Sequence, residues 1–505
     1  MSGFSSLPEE ALKLVMKHVP LRHRLSSCCL VGTMMHAAAV ADTDDLELSH
    51  LSQQRAASLL GWMSHHGHNL TKFELKYYYE QPLQQLPCPN LLELKLDGCD
   101  VQLGPAFGYP GVVQGCTNLT RLVLECSIID APVHGAVLDG SLSRLVHLQY
   151  LLVVPFARPT LASLGGIQQY TLDGLSYVTL PRLQQLTFLK VHSLNVGNVQ
   201  QLGALTNLHS LDLMVADDFT IIGPTCVPGM TFPASLKTLF LLSRAEPEVL
   251  SLVPTGLQEL QASCTVGGPA EGPGSFLYGM ARLQHLTSVI LLGHGTVWPP
   301  AGPAYSALTA SSKLQLLHVT DSYFPTGIWS HVFSAARKLP HLTSLILRGL
   351  EKYGGSYVGN VRTPPLWDAA DISSFVSCCP SLCDIKRLPL QPGLHVSELH
   401  KLTALTALDV QCNSASWWPV VESLRGLAAV TSLHSLTVTT DCAEMTGAHL
   451  LPLTSLTALS SLSCKFQSDS RRFFSTQVNT QPLYALRVSV SIVGAADVLE
   501  CVNHE

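Results

Sequence analysis

The chain has 505 residues, 87 of them Leu against 11 Ile, with 47% apolar and 13% charged residues. That is too apolar for a disordered chain and ample for a large core. The formal net charge of -6 leaves no surplus of positive charge, which excludes phosphate-backbone binding as a main activity.

In chain order, the opening MSGFSSLPEE has no basic start and no apolar block, so no secretory signal is expected. Nor does the chain contain an apolar run of about 18 residues that would span a membrane. The expected location is cytoplasmic and/or nuclear. Residues 4–41 predict three short helices. Pro8 suits a first helical turn, with Glu9 and Glu10 beside the positive end of the dipole. Leu12, Val15, Met16 and Val19 then form one apolar stripe at helical spacing, and Pro20 stops the helix. Two further pieces follow at about 21–29 and 30–41, the second rich in Ala. A module this small leans on a partner or a neighbouring domain.

This segment resembles the F-box. It carries Leu7-Pro8-Glu9-Glu10, then Ala11-Leu12 and Val15-Met16, then Val19-Pro20, and later Leu25, Leu30 and Val31. Gly32 stands where the family commonly has Cys, and Met35 where it usually has Trp. The resemblance implies docking of a Skp-type adaptor of a cullin-based ubiquitin ligase through Leu7, Pro8, Leu12, Val15, Met16, Val19, Leu25, Leu30 and Val31. The alternative is that the helices only cap the end of the repeat array that follows.

From residue 46 onward the chain repeats. The template L-x-x-L-x-L recurs from Leu91-Leu94-Leu96, through Leu208-Leu211-Leu213 and Leu342-Leu345-Leu347, to Leu433-Leu436-Val438 and Leu483-Leu486-Val488. Weaker copies start at Leu70, Ile167, Leu257, Leu382 and Leu456. Starts follow one another by 19 to 29 residues, except for one step of 40 between Leu342 and Leu382, where an insertion or a degenerate copy is expected. Between copies run segments such as GALTNLHSL and RKLPHLTSL, whose apolar steps of three and four suit a short helical turn facing the sheet.

The spacing resembles the leucine-rich-repeat family. The resemblance implies an α/β solenoid: a leucine-rich-repeat horseshoe of about 15–17 repeats over 46–505, with degenerate copies near 167, 257, 382 and 456, preceded by a three-helix F-box-like module over 1–45. It further implies a small polar residue eight positions after each start, met here by Cys99, Asn413 and Cys464.

Alternate strand residues point away from the core. In the early copies these are polar: Glu93, Lys95, Asp97, Arg121, Glu125, Lys190, Ser210 and Asp212. Later they turn apolar, as Met214, Phe240, Leu242, Ile290, Leu292 and Ile346, which makes that strip of the concave face the candidate target-binding surface. The longer connections 216–235, 265–283, 293–313 and 349–380 carry Trp298, Tyr305, Tyr353, Tyr357 and Trp367, secondary candidates for recognition.

Motifs for catalysis are missing from the sequence: no phosphate loop, dinucleotide fingerprint, nucleophile elbow or H-E-x-x-H helix occurs. GGPAEGPG at 267–274 lacks the Lys of a phosphate loop. His65, His66 and His68 read as a solvated turn, without acidic or Cys ligands nearby. The 15 Cys contain no C-x-x-C pair, so buried free thiols are expected. Tyr77-Tyr78-Tyr79 reads equally as a recognition patch or a strand-end cluster. The expected function is therefore non-enzymatic, with no cofactor and no metal: a substrate-recognition subunit of an SCF-type ligase, whose partners are a Skp-type adaptor with its cullin complex and a target protein, and neither nucleic acid nor membrane. The alternative is a plain leucine-rich-repeat interaction scaffold.

Overall fold

The computed structural model describes residues 44–78, 83, 85–101, 112–128, 142, 144–155, 182–192, 200–214, 229–241, 249–263, 274–297, 302–323, 327–348, 367, 369–390, 396–412, 418–440, 447–466, 489–493 and 498–501. The three expected N-terminal helices, and with them Leu7 to Val31, lie outside the described residues. The chain divides into two compact units, residues 1–220 with 226–236, and residues 221–225 with 237–505.

The first unit is a ladder of strands: β1 (Asp45–Ser49), β2 (Lys72–Lys76), β3 (Glu93–Val101), β4 (Arg121–Ile128), β5 (Tyr150–Pro155), β6 (Phe188–His192) and β7 (Ser210–Met214). Each pairs in parallel with the next in sequence. One helix, α1 (Gln53–His66), joins β1 to β2. The pairing lines Leu46, Phe73, Leu94, Leu122, Leu151, Leu189 and Leu211 into one column, none more than 1% exposed. This is a solenoid-like repeat: no rung buries its apolar face alone, and stacking supplies the core.

The second unit repeats the arrangement over β8 (Thr238–Leu241), β9 (Glu259–Ser263), β10 (Ser288–Val297), β11 (Leu316–Tyr323), β12 (Ser344–Arg348), β13 (Asp384–Leu390), β14 (Ala407–Cys412), β15 (Ser435–Thr440), β16 (Ser461–Phe466) and β17 (Ser489–Val493). These pair in parallel. The last strand, β18 (Val498–Cys501), turns back antiparallel to β17. The helices here are α2 (Val249–Leu252), α3 (Gly274–Ala281), α4 (Trp329–Val332), α5 (Ala369–Cys378) and α6 (Trp418–Leu427). Gly279 of α3 lies against α2 so closely that a Cβ there would meet the Leu250 Cβ at 2.6 Å.

Several of the described connections are tighter than the helical turns expected from the sequence. Leu205 donates its N–H to the Leu202 carbonyl at 3.0 Å, and Leu208 to that of Leu205 at 2.9 Å. Leu399, Leu402 and Leu405 repeat the staircase, as do Leu453, Leu456 and Leu459. Leucines three apart therefore stack through 3-10 turns, in which side chains at i and i+3 eclipse. A second ladder was not read from the sequence. The Gln258 carbonyl accepts the N–H of Thr287 at 2.7 Å, that of Ser288 at 3.2 Å and the Thr287 hydroxyl at 3.1 Å. Thr71, Thr120, Thr187, Thr343, Thr406 and Ser460 bond the preceding rung in the same way. This explains the Leu-Thr pair that precedes β2, β4, β6, β10, β12 and β14. Thr287→Val keeps the shape and removes only the hydroxyl. Because the carbonyl retains two donors, the expected loss is about 0.5–1 kcal/mol by urea unfolding, with Thr287→Ser near wild type. A cost above about 2 kcal/mol would mean the residue is held by something else.

The register corrects the placing of three copies and decides between the two readings of the step of 40. The copy at Ile167 adds no rung between its neighbours, because β5 pairs directly with β6, Leu151 opposite Leu189. The step of 40 is an insertion, since β12 pairs directly with β13. The copy assigned to Leu456 starts at Leu459, because Leu462 and Cys464 stand opposite Leu436 and Val438. Cys464 thus fills an apolar column and is not the small polar residue of the turn. Near the end, Val490 and Ile492 stand in register with Leu462 and Cys464, while Leu486 and Val488 lie outside the described residues. Cys99, by contrast, is buried inside β3 at the register shift beside Gly98 (φ 58), its thiol donating to the Leu75 carbonyl at 3.3 Å. Asn413 lies outside the described residues.

Candidate functional site

In each unit the strand residues that alternate with the leucine columns are mostly half-exposed, and they include the candidate residues. In the first unit the early part of this outward face is an ion-pair lattice. Lys72 reaches Asp45 at 3.0 Å, Lys76 bridges Glu47 at 2.7 Å and Glu74 at 3.1 Å, and Lys95 joins Glu74 at 2.8 Å. Burial opposes the charge on Glu74, but hydrogen bonds from Lys95 and Lys76 outweigh it and hold the carboxyl below its ordinary value. The hydrogen bond to Asp45 raises the Lys72 ammonium. Pairs this exposed contribute little stability; they set where side chains lie.

Further along the same face the charges give way to rings. Tyr150 and Phe188, opposite one another in register, stack at 4.2 Å with planes 1° apart. The Arg121 guanidinium lies 3.8 Å above the Tyr150 ring. Between this stack and the ion pairs, Val123 and Leu152 face outward yet are buried. None of Tyr150, Phe188, Val123 and Leu152 was singled out from sequence. The signal was available, because Tyr150 and Phe188 occupy the template position that Arg121 and Ser210 fill in other copies. Beyond them Lys190 pairs with Asp212 at 2.8 Å, through the carboxylate Oδ2. The other oxygen, Oδ1, is buried without a hydrogen-bond partner, a state that costs about 1–3 kcal/mol, and more for a charge.

In the second unit Phe240, Ile290, Leu292 and Ile346 sit half-exposed on this outward face, alternating with the buried Leu239, Leu241, Val289, Leu291, Leu345 and Leu347. The expected uninterrupted apolar strip is not what they make. In register the row reads Phe240, Gln261, Ile290, His318, Ile346, Lys386, so a polar side chain separates each apolar pair. Met214 ends β7, with its side chain outside the described residues, as is Leu242.

Past this row β13 bulges. Arg387 adopts a left-handed φ of 61, which advances the register so that Leu388 stands opposite Val410. Nearby, burial pushes the Asp409 carboxyl above its ordinary value, against Lys465 and Arg387.

Two secondary candidates are corrected. Tyr305 and Trp367 are buried at 0% and 3% exposure, so they are core residues and not exposed recognition groups. Trp298, Tyr353 and Tyr357 lie outside the described residues. Tyr77 is exposed and stacks on His50 at 5.0 Å, while Tyr78 is buried; Tyr79 is outside the described residues. His65 and His66 end α1 and His68 lies in the next turn. Among the described residues no group of three His, Cys, Asp or Glu stands close enough to hold a metal ion. Burial pushes the Cys88 and Cys116 thiols up to about 12, which keeps them protonated. No helix among the described residues is long and apolar enough to cross a membrane.

Comparison of the chain with protein-family models finds no match, and comparison with curated proteins finds none either.

Proposed function

We propose that the chain is the substrate-recognition subunit of a cullin-based, SCF-type ubiquitin ligase, built as an F-box followed by leucine-rich repeats. The observation that carries the reading is the pairing of two features in one chain: the run Leu7-Pro8-Glu9-Glu10 with its stripe Leu12, Val15, Met16 and Val19, and a repeat ladder that leaves one sheet face open for a partner. The N-terminal stripe holds a Skp-type adaptor, and the open face holds a target protein. The chain does no bond chemistry of its own. Its contribution is effective concentration, keeping a target lysine beside a charged conjugating enzyme.

Co-expression with a Skp-type adaptor, followed by pull-down, tests this. Wild type should retain the adaptor, and Leu12→Glu with Val15→Glu should abolish capture while circular dichroism stays unchanged. A wild-type chain that retains no adaptor leaves the plain scaffold, with N-terminal helices acting only as a cap. Phe240→Arg with Ile290→Arg should cost target capture and leave adaptor capture intact.

A further inference from the structure

The outward row of the first unit reads Arg121, Tyr150, Phe188, Ser210 in register. Its first three members already form a stack, guanidinium on phenol ring on phenyl ring, at 3.8 Å and 4.2 Å. Parallel strands stand about 4.8 Å apart, so the next layer of the stack belongs over β7. Ser210 occupies that place, and its hydroxymethyl group fills little of it. The second face of Phe188 is therefore bordered by Ser210, the smallest side chain of the row, and the place above Ser210 is the slot.

Two residues along β7, on the same face, stands Asp212, whose side chain is 8% exposed. Lys190 holds Oδ2 at 2.8 Å, while Oδ1 is buried with no hydrogen-bond partner. One wall of the site is thus a ring face, and beside it is an acceptor already desolvated and unused. A flat, cationic hydrogen-bond donor matches both. Among protein side chains that describes the arginine guanidinium, which stacks on rings and presents several N–H groups in its plane. A lysine ammonium has neither the plane nor the edge.

We propose that the slot over Ser210 receives an arginine side chain of the partner protein, stacked on Phe188 and donating to Asp212 Oδ1. The guest continues the layering that Arg121 begins on Tyr150. This inference rests on the reading that the open sheet face holds a protein target, and it names one side chain which that target presents.

The test uses the full chain and Nα-acetyl-argininamide, followed by ligand-observed NMR. Ring-current shielding by Phe188 should move the arginine δ-methylene signals upfield in a saturable way. Ser210→Phe, which fills the slot with a further ring, and Asp212→Asn, which keeps the shape and removes the charge, should each weaken binding by about tenfold or more. Nα-acetyl-lysinamide should bind the wild type at least about tenfold more weakly than the arginine probe. If Ser210→Phe loses its circular dichroism signal, Ser210→Val makes the same occupancy test with a strand-favouring residue. No saturable shift with wild type overturns the proposal. So does binding that survives a filled slot, or equal binding of the lysine probe. None of these outcomes bears on adaptor capture or on the effect of Phe240→Arg, so failure here is distinct from failure of the ligase reading.

Discussion

Changing Leu345 to Asp is expected to cost more than about 4 kcal/mol, whereas the same change at its neighbour Ile346 should cost no more than about 1 kcal/mol. Leu345 is fully buried between Leu317 and Ile385 in the first apolar column of the second unit. A carboxylate there has no donor in reach and cannot return to water, which is among the most expensive changes a core admits. Ile346 points the other way, half-exposed, with His318 and Lys386 on either side in register. A carboxylate between those two gains a favourable neighbour. Urea unfolding of the two variants measures the contrast, and hydrogen exchange should show protection lost across β11, β12 and β13 in Leu345→Asp alone. Equal costs, or the reverse order, would mean that the strand presents the opposite face to the core.

Trp329→Ala should destabilise the protein by about 3–5 kcal/mol. Trp329 opens the one-turn helix α4 and is 1% exposed. It stacks on Trp367 at 4.9 Å and lies 6.0 Å from Phe333, while Phe375 of α5 meets Phe333 edge-on at 4.9 Å and Trp367 at 5.5 Å. Four rings from two stretches of chain, Trp329 with Phe333 and Trp367 with Phe375, thus form one satellite core, worth more than its area alone because stacked and edge-on pairs add to burial. A single helical turn has little stability of its own. Here the buried Asp371 supports it by accepting the Ser330 N–H at 2.6 Å. The variant should also lose the near-ultraviolet circular dichroism of the paired indoles. Trp329→Phe should keep most of the stability, with a loss below about 2 kcal/mol. A cost below about 1 kcal/mol for Trp329→Ala would show that the rings do not pack as a core.

Local spacing made much of the ladder legible. Leu94, Leu122, Leu211, Leu317 and Leu436 are inward because strand side chains alternate, and a three-residue step from the leading Leu reaches the first column in each copy. The outward set follows from the same alternation, which is why Phe240, Ile290 and Ile346 could be read as half-exposed before any strand was paired. The threonines after the leading leucines were visible too, yet their role was not. Each bonds a carbonyl one rung earlier, and that contact has no signature inside a single copy.

What the sequence determined by itself is thus the rhythm: which residues turn toward the core, and that no rung is stable without its neighbours. Only the tertiary structure decided which rungs are neighbours. Leu459 and not Leu456 leads its strand, Ile167 supplies no rung between β5 and β6, and the inserted segment after β12 brings Trp367 and Phe375 onto Trp329 and Phe333. The same holds for the open face, where Tyr150, Phe188 and Ser210 form one row although a repeat or more of chain lies between them. The physical reason is that side-chain direction is fixed by φ and ψ over a few residues, whereas lateral contact depends on the register of one strand against the next. That register is chosen by the summed burial of the columns beneath and not by the outward residues themselves.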